Sequence, residues 1–145
     1  MTGTCSVLFV CLHGSAKSLI AREHFARLAR DAGYDVDVRS AGIEPDDAVP
    51  PGVLAGLARD GIDASVFVPE PLVNDALERA DVVVSFGCAL EPPRGRAPTI
   101  RWDDLPLVSD GYEEARTAIV TRLRQLLADV VAPIARGRCA SPNAK

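Results

Sequence analysis

The sequence predicts an α/β fold: one domain built on a four-stranded parallel sheet with helices on both faces. Three observations carry that reading. Four short runs, three of them rich in valine and isoleucine, alternate with longer segments of helical apolar spacing in the order β-α-β-α-α-β-β-α. The first run is apolar without a break, as in a strand covered on both faces. At 145 residues, 48% hydrophobic and 25% charged, the chain is large enough for one real core. Residues 1–135 are assigned to this domain and 136–145 to a frayed tail.

SVLFVC (6–11) is the first strand. From Ser18 to the stop signal at Gly33, Ile20, Ala21, Phe25, Leu28 and Ala32 keep helical spacing. His24, in the middle of that helix, is read as a surface residue. DVDVRSAG (35–42) alternates and makes the second strand. PPGVLAGLARDGI (50–62) opens on prolines and closes on Asp60-Gly61, the marks of a short helix. PEPLVNDALERA (69–80) reads as another helix, DVVVSFG (81–87) as the third strand, EPPRGRAP (91–98) as a loop and TIRW (99–102) as the fourth strand. A final helix covers 112–134, with Ile119, Val120, Leu123, Leu126, Leu127, Val130 and Val131 in one stripe.

The net charge of −4 argues against a broad nucleic-acid footprint, while leaving room for a small anion site. No apolar run approaches the ~20 residues of a membrane span, and no signal peptide opens the sequence, so a cytoplasmic protein is expected. In that reducing setting Cys5, Cys11, Cys88 and Cys139 read as thiols. Their irregular spacing and the presence of two histidines offer no zinc pattern, and no cofactor is expected.

Ligands of parallel α/β sheets bind beyond the carboxyl ends of the strands. Cys11 stands at such an end, followed by Leu12, His13, Gly14, Ser15 and Ala16, then by a helix opening at Lys17 and Ser18. Unpaired N–H groups at a helix start form an anion cradle, and a thiol at its rim is drawn towards thiolate. Gly14 takes a positive φ without penalty, Lys17 adds a cation, and the Ser18 hydroxyl can hydrogen-bond the sulfur. The context favours a nucleophile over a thiol that simply ends a strand. A Walker-type nucleotide loop fits poorly, because Cys11 and Ala16 occupy both of its glycine positions.

VLFVCLHGSAKS, together with SAGIEP (40–45), DGIDAS (60–65) and ADVVVSF (80–86), resembles the low-molecular-weight tyrosine phosphatases and the related thioredoxin-coupled arsenate reductases. The resemblance implies their fold, and a loop from Leu12 to Lys17 that binds phosphate or arsenate while Cys11 attacks it. The family's loop arginine falls on Lys17, which offers a point charge in place of a planar fork, and its asparagine falls on Gly14. An imidazolium at His13 would add positive charge beside the thiolate. The proton donor is expected at Asp104, with Asp103 as rival; the family's following proline is displaced to Pro106.

Cys88 lies close to the resolving cysteine of the reductase branch, and the Asp-Pro-Tyr pattern of the tyrosine phosphatases is missing. The resemblance therefore favours arsenate reduction, with thioredoxin or a low-molecular-weight thiol as donor. Hydrolysis of phosphotyrosine through a phosphocysteine is the alternative. An oxyanion-binding regulatory protein, weakened by Lys17, is the third reading.

Overall fold

A computed structural model of the chain describes residues 5–87 and 99–139, with side chains as far as Gly137. Four parallel strands form the sheet: β1 (Cys5–Cys11), β2 (Val36–Gly42), β3 (Val82–Ser85) and β4 (Thr99–Arg101). Their order is β2-β1-β3-β4, so β1 is central and pairs with both β2 and β3. The neighbouring of strands one and three is as expected. The EPPRGRAP loop and Cys88 lie outside the described residues.

The unbroken apolar run of β1 has the environment it requires. Val7, Phe9 and Cys11 face a large core shared with α1 (Lys17–Asp31), α2 (Pro51–Arg59) and α4 (Tyr112–Leu126). Leu8 and Val10 face a smaller core closed by Leu77 of α3 (Asn74–Arg79). Helices thus cover both faces, unequally. Phe9, Phe25, Leu57, Ile119 and Leu123 are fully buried. Each such side chain contributes about 1.5–3 kcal/mol over an exposed one.

Two elements depart from the sequence reading. The segment expected to be helical from 69 begins extended, because Pro69 and Pro71 lack N–H groups and Gly42 captures the backbone between and beyond them. Gly42 N–H donates to the Glu70 carbonyl at 2.8 Å, and Leu72 N–H donates to the Gly42 carbonyl at 2.9 Å. The last helix passes through a π-helical turn, Leu127–Val131, and runs on past 134 as α5 (Ala132–Cys139). The widened turn lies just before Pro133, where a regular helix would clash with the proline ring. Residues 136–139, expected in the tail, are therefore helical. Among the described residues no helix is long and apolar enough to cross a membrane.

Candidate active site

Because the strands are parallel, the loops after β1, β2 and β4 gather at one edge of the sheet. β1 delivers Cys11 there, 7% exposed and in register with Gly42. The chain crosses residues 12–16 and enters α1 at Lys17. Gly14 has φ +66°, the left-handed conformation that glycine accepts freely, and its N–H donates to Cys11 Sγ at 3.2 Å. Ser18 Oγ, fully buried, lies 3.0 Å from the same sulfur. The sulfur thus meets a backbone N–H on one side and a hydroxyl on the other, both able to donate to it.

The loop rests on Gly42, the glycine of the SAG segment. A Cβ there would fall 2.6 Å from both Gly14 N and the His13 carbonyl carbon. A Cβ at Gly14 would in turn meet Gly42 N at 2.8 Å, so an asparagine at 14 does not fit this close backbone packing. Ser15 is buried and donates to Asp46 Oδ2 at 2.6 Å. Leu12 and His13 are exposed at the rim, and His13 Nδ1 lies 3.2 Å from the Glu44 carbonyl and 3.4 Å from Asp46 Oδ1. Ala16 is half-buried and caps α1. Lys17 Nζ donates to the Leu105 carbonyl at 3.4 Å, tying the loop to the segment after β4.

Asp103 and Asp104 stand on that segment, each engaged elsewhere. Asp103 accepts from Gly87 N–H at 3.1 Å and pairs with Arg101 at 2.9 Å. Both oxygens of the exposed Asp104 accept from Arg122, at 2.9 and 2.8 Å. That hydrogen bond, with an added backbone one, holds the Asp104 carboxyl below its ordinary pKa. A proton donor must carry a proton, so the Arg122 grip has to open before Asp104 can act as one.

A second polar cluster lies between α1, α2 and α4. Asp60, at the end of α2, accepts from Tyr112 OH at 2.7 Å and from Arg116 at 2.5 Å, and contacts His24 Nε2 at 3.1 Å. His24 is thus buried, 8% exposed, and not the surface residue expected. It sits four residues from both Ile20 and Leu28, on the apolar stripe itself, and that spacing was the available signal. Burial lowers the His24 pKa despite the opposing pull of Asp60, keeping the imidazole neutral. Burial would raise Asp60, but Tyr112, Arg116 and His24 together hold it below its usual value. Among the described residues no group of three or more acidic, His or Cys side chains is placed to hold a metal ion.

Residues 6–89, more than half of the chain, match the low molecular weight phosphotyrosine protein phosphatase family. The chain belongs to this family. Among curated proteins it is 31% identical over 84 residues to a putative arsenate reductase of Halobacterium salinarum, covering 56% of this chain and 58% of the relative. It is 32% identical over 82 residues to a protein-arginine-phosphatase of Bacillus subtilis, covering 55% of this chain and 54% of that protein. These matches span little more than half of either relative. Among solved structures, a thioredoxin-dependent arsenate reductase of Corynebacterium glutamicum superposes with a TM-score of 0.72 at 29% identity, over 90% of this chain and 63% of that one. The family's α/β domain, with its four-stranded parallel sheet, is the fold described above.

Proposed function

We propose that this member of the family is a thiol-based oxyanion enzyme that reduces arsenate. The observation supporting this is the Cys11 sulfur, held between the Gly14 N–H and the Ser18 hydroxyl at the start of α1. The loop from Leu12 to Lys17 binds the oxyanion, with Lys17 supplying positive charge and His13 standing at its rim. The Cys11 thiolate attacks arsenic and an S–As bond forms as one oxygen, protonated by Asp104 or in its place Asp103, leaves as water. The thiolate of Cys88 then attacks the Cys11 sulfur. The S–S bond forms, the S–As bond breaks, and its electron pair departs on arsenite. Thioredoxin or a small thiol reduces the disulfide. The similar arsenate reductases from Halobacterium and Corynebacterium support this choice of substrate.

Phosphomonoester hydrolysis through a phosphocysteine is a second reading, favoured by the match to the phosphotyrosine protein phosphatase family. Nucleophile, cradle and proton donor are shared, but water then takes the place of Cys88. Purified protein assayed in parallel with arsenate plus thioredoxin or a small thiol, and with p-nitrophenyl phosphate, separates the two. Thiol-dependent arsenite production above ester hydrolysis is expected. Ester hydrolysis without arsenite production overturns the reductase assignment.

A further inference from the structure

We propose that Asp46 is a positioning residue that holds the anion loop in its binding conformation by gripping Ser15 and the His13 carbonyl. This rests on the reading of residues 12–18 as an oxyanion site. The carbonyls of Cys11, Leu12 and His13 accept from the N–H groups of Ile43 (3.2 Å), Glu44 (2.7 Å) and Asp46 (3.0 Å). In a planar trans peptide the carbonyl and the next N–H point in opposite directions. Three carbonyls drawn towards the 43–46 segment therefore turn the N–H groups of Leu12, His13 and Gly14 the other way. The Gly14 N–H is accordingly found on Cys11 Sγ.

Within this clamp Asp46 alone grips the loop with both backbone and side chain. Its N–H holds the His13 carbonyl, and its Oδ2 accepts from Ser15 Oγ at 2.6 Å. Ser15 is only 2% exposed, so without Asp46 its hydroxyl would be buried and unpaired. Pro45 has no N–H to contribute, which leaves the clamp's far end to Asp46. The neighbouring Asp47 carries the same charge but is exposed, and serves as its control. Loss of the grip lets the loop sample conformations with its N–H groups averted, and apparent anion affinity falls by the fraction of time spent there.

The test measures alkylation of Cys11 by iodoacetamide as inorganic phosphate is titrated, alongside the thermal unfolding midpoint of each variant. Asp46→Ala should raise the half-protecting phosphate concentration about tenfold. Asp46→Asn keeps an oxygen that accepts from Ser15 and should stay close to the parent, as should Asp47→Ala. Ser15→Ala should reproduce the loss, and adding Asp46→Ala to it should bring little more. The comparison of Asp46→Asn with Ser15→Ala stands even if Asp46→Ala fails to fold. The proposal is overturned if Asp46→Ala protects as the parent does, or if Asp46→Asn loses as much as Ser15→Ala. A parent that phosphate does not protect overturns the oxyanion reading itself.

Discussion

Replacing Gly42 with alanine should damage the fold and the site together. The new methyl would stand 2.6 Å from Gly14 N and from the His13 carbonyl carbon, and 2.9 Å from the His13 carbonyl oxygen. Carbon atoms pack at ~3.5–4.0 Å, so strand and loop must separate by about 1 Å. All three obstructing atoms are backbone, and no side chain can swing aside to relieve the clash. Overpacking of this kind costs about 1–3 kcal/mol. The separation also pulls the Gly14 N–H, now 3.2 Å from Cys11 Sγ, away from the sulfur. Urea unfolding followed by circular dichroism reads the cost as a lower midpoint at unchanged slope. Gly52→Ala is the control: its methyl meets nothing within 4 Å, and alanine suits a helix better by up to ~1 kcal/mol. If Gly42→Ala unfolds at or above the parent midpoint, the close packing of loop on strand is not what fixes the glycine.

Asp60→Ala should cost about 3–5 kcal/mol in urea unfolding, because it strands Arg116, Tyr112 and His24 in a largely buried space. The same cluster sets the acid limit. Native His24 lies below its ordinary value of 6.5, so the unfolded chain binds its proton first and stability falls as pH drops from there towards the native value. Asp60, native below 3.8, loses its contribution only as pH falls below that value, in the same direction; His24→Gln should flatten the first phase, and an unchanged slope contradicts this. Lys17→Arg should let phosphate protect Cys11 from alkylation at lower concentration, because a two-pronged donor replaces a point charge. Weaker protection would mean a loop rebuilt around lysine. Asp104→Asn should lower turnover of p-nitrophenyl phosphate by ~10²–10⁴-fold and Asp103→Asn far less; the reverse order would identify Asp103 as the acid.

Much of the fold is legible in the sequence, because its signals are local. The unbroken run of β1 fixes a central strand, and the stripe from Ile119 to Val131 fixes the long final helix. The onset of α3 at Asn74 is not legible from spacing, since Pro69–Leu72 are held extended by Gly42, far away in sequence. The site divides in the same way. Cys11, Gly14 and Ser18 announce themselves through their order after a strand. Asp46 is one acid among three within EPDD, and only the folded chain brings it to Ser15. Arg122 gives no sign of its hold on Asp104, because 18 residues and a turn of chain separate them.

Serine variants of Cys11 and Cys88, assayed with both arsenate plus thiol donor and p-nitrophenyl phosphate, address the nucleophile itself. If Cys11 forms the bond to arsenic and phosphorus alike, Cys11→Ser abolishes both activities. Cys88→Ser then abolishes arsenite production alone and leaves ester hydrolysis intact. Arsenite production that survives in Cys11→Ser would contradict the assignment of Cys11 as nucleophile.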